Sequence, residues 1–230
     1  DLLYSLMRFA DRKRLSVVSE WFEMTVEDYE RRYRTIPQLL GRFFSTAEIG
    51  DFQSMQGTTS LLISGSAALQ FFSGARYDTD LDTYCVIDNC LEVGEWYILI
   101  GYRFLPASQQ LATFHDDYAL SLDLAVASGS DYNDMYHSDQ IRRVWTFVRG
   151  ASTIQLIASV HAPIQVILSF HSTCVMNFIT HAAAYSLYPS LTFGDAATMA
   201  VDIKYPMTEN QLRALTKYVE RGYDVLTTVE

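Results

Sequence analysis

The stretch Leu61 to Val86 constrains this chain more than any other. Leu61, Leu62 and Ile63 form a short apolar run ending in small residues, which predicts a buried strand. Gly65 and Ser66 make a turn, and Ala67, Ala68, Leu69, Phe71 and Phe72 continue as a short apolar helix that Gly74 ends. Asp80 and Asp82 follow, leading into Thr83-Tyr84-Cys85-Val86, a run of strand formers. The unit reads strand, turn, helix, strand.

Residues two apart on a strand share a face, so Asp80 and Asp82 are expected to project together while Leu81 turns into the core. Paired carboxylates repel each other and are kept where solvent or a cation can neutralise them. Oxygen ligands in such a pair suit Mg²⁺ or Mn²⁺, which complete their shells with water and substrate phosphate. The Gly65-Ser66 turn carries complementary chemistry, because backbone N–H groups opening a helix attract anions and the Ser66 hydroxyl adds a donor. A plain alternative is that Asp78 and Asp80 are solvated turn residues.

Composition narrows the partners. Of 230 residues, 49% are apolar and 13% aromatic, enough for a sizeable core and against disorder. A formal charge of −10 argues against non-specific nucleic-acid binding, so a small molecule, a nucleotide or a protein is the expected acceptor of any transferred group. Cys85, Cys90 and Cys174 show neither zinc spacing nor a disulfide framework. Ile164 to Leu187 is the most apolar stretch, but Gln165, His171, Asn177 and His181 interrupt it, which argues against a membrane span there. With no signal peptide in the sequence, an intracellular, cytoplasmic location is expected.

Residues 1–57 read as a helical segment packed on the core, with one helix starting at Thr25 and another opened by Pro37 and carrying Leu39, Leu40, Phe43 and Phe44. Leu91 to Ile100 predicts a helix capped by Gly101, and Tyr118 to Ala127 a strand. Ser128 to Asp139 is a polar loop, and Arg142 to Val148 with Thr153 to Ala158 forms a hairpin. Residues 160–230 read as helical, with a helix at Pro163 and a last helix opened by the capping box Thr208-Glu209-Asn210-Gln211. His115 beside Asp116 and Asp117 reads as an exposed acidic loop. Together these predict an α/β (α+β) protein in one compact unit, with a mixed, mainly antiparallel sheet of about four to six strands.

Gly65-Ser66, a spacer of thirteen residues, then Asp80-Leu81-Asp82 resembles the signature of the nucleotidyltransferase (polymerase β-like) superfamily. The likeness covers Leu61 to Val86 well and Cys90 to Ser159 loosely, and the whole chain is also similar to fungal proteins built on this module. The resemblance implies a core over residues 58–159 and transfer of a nucleotidyl group from a nucleoside triphosphate. It further implies that Gly65 and Ser66 hold the nucleotide phosphates and that Asp80 and Asp82 hold the metal. Arg76, Lys217 and Arg221 are the candidate cations for a triphosphate.

Active members of that superfamily add a third acid on a later strand. In the Arg142–Ala158 hairpin the matching position falls on Gln155, whose amide is neither a general base nor a strong metal ligand. Asp123, in Ser121-Leu122-Asp123-Leu124, is the other candidate and can equally be an outward acid on an amphipathic strand. Three readings stay open: a metal-dependent nucleotidyltransferase, a catalytically silent binding or interaction module on the same fold, and an acidic scaffold with an incidental Asp-x-Asp.

Overall fold

The computed structural model describes residues 7, 9–75, 77–127, 140–201 and 209–227. Helices α1 (Phe9–Ser16), α2 (Glu20–Tyr33), α3 (Ile36–Leu40) and α4 (Thr46–Thr59) precede strand β1 (Leu62–Ser64) and helix α5 (Gly65–Ser73). Next come β2 (Leu81–Val86), α6 (Cys90–Leu99), β3 (Arg103–Leu105), α7 (Phe114–Ala127), β4 (Ile141–Arg149) and β5 (Ser152–Ser159). The chain continues through α8 (Pro163–Leu168), β6 (Asn177–Ile179), β7 (Ala184–Ser186), β8 (Ala197–Met199), α9 (Glu209–Glu220) and β9 (Asp224–Leu226).

Seven strands form one sheet in the order β3-β4-β5-β2-β1-β6-β7, while β8 and β9 pair separately in parallel. Within the large sheet only β2 and β5 run parallel, and the segment from α6 to β4 supplies the long crossover that such a pair requires. The class is the expected one, a mixed and mostly antiparallel α/β architecture with flanking helices.

The sheet has two unlike faces. Ile63, Leu81, Cys85, Trp145, Phe147, Ile154 and Leu156 point into the main core, all nearly or fully excluded from solvent. Phe44 and Phe52 from the N-terminal region, Val93 and Tyr97 of α6 and Phe114 of α7 cover them. Each such buried side chain contributes roughly 1.5–3 kcal/mol. The opposite face is apolar only at one end, where Tyr84 and Ile157 meet Val166 of α8. Its other end is polar, and there the register aligns Ser64, Asp82, Gln155 and Thr146 in one row across β1, β2, β5 and β4.

Four expectations are corrected. Tyr118 to Ala127 lies in helix α7, because Phe114, Tyr118 and Ser121 are buried at helical spacing. Residues 160–230 are not simply helical: β6 and β7 extend the sheet, their three-residue length being too short to show an alternating pattern. That raises the large sheet to seven strands, above the expected four to six, and carries it beyond residue 159. The second helix starts at Glu20, where the Phe22 amide donates to Ser19 Oγ, and Thr25 lies inside it. The loop at Ser128–Asp139, Arg76 and Thr208 of the capping box lie outside the described residues. Among the described residues no helix is long and apolar enough to cross a membrane.

Candidate functional site

The polar end of the sheet gathers the motif residues. Gly65 turns the chain from β1 into α5 at φ +65°, a conformation glycine adopts without penalty. Ser64 pairs with Asp82 across the antiparallel β1–β2 ladder, and this register lays the Asp82 carboxylate directly over Gly65. A Cβ on Gly65 would stand 2.1 Å from Asp82 Oδ2, so the missing side chain is what lets the turn and the acid meet.

Asp80 lies immediately before β2 and is set by the loop that leads into it. Arg42 Nη1 donates to Gln70 Oε1 at 3.2 Å and to the Tyr77 carbonyl at 3.1 Å, and the Tyr77 amide donates to Gln70 Oε1 at 3.2 Å. These three bonds pin the segment between α5 and β2. Leu81 fills the core between the two acids and is fully buried.

The electrostatics follow from crowding. Burial first, then the neighbouring Asp80 charge, pushes the Asp82 carboxyl up to about 7, while Lys217 pulls against the shift. Asp80 is also raised, first by burial and then by Asp78, with Lys217 and a Gln155 hydrogen bond opposing. Lys217 is held below its ordinary value by partial burial and by Arg221, against the pull of Asp82 and Asp80.

Gln155 sits beside Asp82 in the parallel β2–β5 ladder. Its Nε2 donates to Asp80 Oδ2 at 3.4 Å, and its main-chain carbonyl accepts from Thr83 Oγ1 at 2.7 Å. Asp123 lies elsewhere: it is exposed on α7, a helix that packs on α6 and β4 rather than on β2. Among the described residues no group of three or more His, Cys, Asp or Glu side chains is placed to hold a metal ion. The acids of the site are the pair Asp80 and Asp82.

The last helix completes the site. Tyr218 and Tyr223 pack with Leu69 of α5, Cys174 and Phe193 in a second apolar cluster, which docks α9 against the helix that follows the Gly-Ser turn. Arg221 Nη1 thereby reaches Ser66 Oγ at 3.0 Å, with the guanidinium 4.0 Å over the Tyr77 ring. Tyr77 is the member of this cluster that sequence reasoning missed. Its pairing with Arg221 bridges distant parts of the chain and leaves no local signal.

The other polar candidates are structural. Asp117 is buried and takes Arg143 and the Trp145 indole N–H, so it is not part of an exposed acidic loop. Cys174 is fully buried in the second apolar cluster, and its thiol is pushed up to about 11, chiefly by desolvation.

No family model and no curated protein matches the chain. Among solved structures, the chain is similar to a CCA-adding enzyme in apo form I, with 10% identity and a TM-score of 0.44. The similarity covers 81% of this chain and 46% of that one, so the chain spans about half of that structure's length. A likeness this remote assigns no role to any residue.

Proposed function

We propose that this protein is a nucleotidyltransferase-like protein whose cleft at Gly65-Ser66 and Asp80-Asp82 takes a metal-chelated nucleoside triphosphate and transfers its nucleotidyl group to an acceptor. The observation carrying this reading is the placement of the Asp82 carboxylate over Gly65, which makes the phosphate-binding turn and the acid pair one site.

Mg²⁺ or Mn²⁺ fits the donor set. Burial and the Asp80 charge raise the proton affinity of Asp82, burial and the Asp78 charge raise that of Asp80, and a divalent cation relieves that repulsion. Asp80 and Asp82 would hold the ion, which when bound would neutralise phosphate charge and polarise the phosphoryl group. Gly65 and Ser66 would orient the terminal phosphates through the backbone and hydroxyl of the turn. An acceptor hydroxyl, from a small molecule, nucleotide or protein, attacks the α-phosphorus. Pyrophosphate leaves with the electrons of the broken P–O bond, and the acceptor's proton passes to solvent.

Gln155 sets the rate. Its amide accepts no proton, and a positioned general base contributes roughly 10²–10⁴-fold. Slow transfer follows. The same residue favours a second reading, a silent module that binds the nucleotide and does not transfer it. Incubation with γ-labelled nucleoside triphosphates and Mg²⁺ separates the two. Magnesium-dependent pyrophosphate release, lost in the Asp80→Ala, Asp82→Ala double variant, supports transfer. Release at the solvent rate, with binding intact, supports the silent module.

A further inference from the structure

We infer that the helical pair α1–α2 is a self-association surface, whose exposed apolar stripe packs on the same stripe of a second copy of this chain with the two α2 helices antiparallel. The inference is independent of the nucleotide reading and of the cleft.

Helix α2 has two unlike sides. Phe22, Val26 and Tyr29 recur at i, i+4 and i+7 and form the inner one, with Val26 buried and the other two half-buried. Arg12 of α1 is itself buried, with its guanidinium 5.7 Å from the Tyr29 ring centroid, and its Nη2 donates to the Ser73 carbonyl at 3.4 Å. The pair is thereby tied to the C-terminal end of α5, which fixes the direction of its outer side. There Trp21 and Met24 are 65% and 63% exposed, and Val17 and Val18, in the turn before α2, are 82% and 68% exposed. Apolar side chains scattered singly are ordinary on a surface. Four together, one of them a tryptophan, mark a contact.

Charge decides what covers the stripe. Glu20, Glu23 and Glu27 are exposed along its flank, where they repel nucleic acid and anionic lipid. Asp28 and Arg32 continue the outer line beyond Met24, paired at 2.8 Å, and the sequence ends this segment with Arg31, Arg32 and Arg34. So α2 begins acidic and apolar and ends basic. A parallel second copy sets acid against acid. An antiparallel one brings its Arg32 end to Glu20, Glu23 and Trp21, where a guanidinium both meets carboxylates and stacks on the indole. The two-fold axis makes each such contact twice.

The distribution of charge over the whole chain favours the same partner. Residues 1–34 hold seven of the 17 Lys and Arg and seven of the 27 Asp and Glu, so this segment is neutral and the rest carries the formal −10. Two copies repel through that acidic remainder and approach at least electrostatic cost through α1–α2. A strongly basic partner is drawn to the acidic remainder instead.

Sedimentation equilibrium of the full chain over roughly 1–100 μM tests the proposal. Wild type shows a reversible monomer–dimer equilibrium. Trp21→Glu and Met24→Glu each weaken it by about tenfold or more, and their exposed positions leave the circular dichroism spectrum unchanged. A charge exchange reads the geometry. Arg32→Glu dimerises less than wild type, and so does Glu20→Arg with Glu23→Arg. An equimolar mixture of these two variants recovers the dimer, since each copy then presents the charge the other lacks. Monomeric wild type throughout that range overturns the proposal, as does a dimer that Trp21→Glu leaves intact. A mixture no more dimeric than its components overturns the antiparallel contact. Monomeric wild type that binds anionic lipid vesicles, with binding lost in Trp21→Glu, assigns the stripe to a membrane and overturns the dimer.

Discussion

Asp82 Oδ2 occupies the place where a side chain on Gly65 would begin, 2.1 Å from its ideal Cβ. The contact couples the Gly65-Ser66 turn to the acid pair. Gly65→Ala must both hold φ near +65° and displace the carboxylate. Its expected cost is about 1–3 kcal/mol by urea denaturation, with loss of Mg·nucleotide binding. Unchanged stability and binding would show that the turn and the acid act independently.

Gln155 stands beside Asp82 and donates to Asp80. Gln155→Glu replaces that donor with a third negative charge. Without metal the variant melts below wild type, because like charges repel in a crowded site. With Mg²⁺ it melts higher, and its metal-induced shift exceeds the wild-type shift. Thermal unfolding with and without Mg²⁺ measures both, and a Mg²⁺ shift equal to wild type would mean that the position does not reach the metal.

Glu48 and Arg149 govern acid stability away from the site. Glu48 accepts from Arg149 at 2.8 and 2.9 Å and caps α4 by accepting from the Ser45 amide. Arg149, more than the Ser45 contacts, lowers the Glu48 carboxyl from 4.5 to about 2. A depressed carboxyl stabilises above its unfolded value and loses that contribution as pH falls through its folded value. Glu48→Gln is therefore less stable than wild type at pH 7 by about 1–3 kcal/mol. The difference closes between about pH 4.5 and pH 2. Denaturation midpoints across that range check it, and a gap independent of pH would refute it.

Asp117 is fully buried, and although burial opposes its charge, Arg143, the Leu111 amide and Trp145 hold its carboxyl below the usual range. Arg143→Met leaves a buried carboxylate without its cation and is expected to cost ~3–5 kcal/mol. Asp117→Leu together with Arg143→Met costs less than the sum of the single changes. Additive effects in the double-variant cycle would show that the pair is uncoupled.

Much of the central unit was legible because its signals are local. The apolar run before Gly65, the left-handed glycine at Gly74 closing α5, and Leu81 alternating between two acids each follow from neighbouring residues. The helix at α7 hid because Tyr118 to Ala127 is apolar at mixed spacings, so a strand and a buried helix read alike. The Ser45–Glu48 capping box was present in the sequence and was obscured by extending the Pro37 helix through Phe44. The row Ser64–Asp82–Gln155–Thr146 depends on a parallel crossover between β2 and β5 that no local pattern encodes. The stacking of Arg221 on Tyr77 likewise exists only after α9 docks.

Isothermal titration of ATP, GTP, CTP and UTP, with and without Mg²⁺, on wild type and on the Asp80→Ala, Asp82→Ala variant tests the central claim most directly. The account predicts that at least one nucleotide binds wild type more tightly with Mg²⁺, and that this gain disappears in the double variant. Equal magnesium-dependent affinity in both proteins, or no nucleotide binding to wild type, would contradict it.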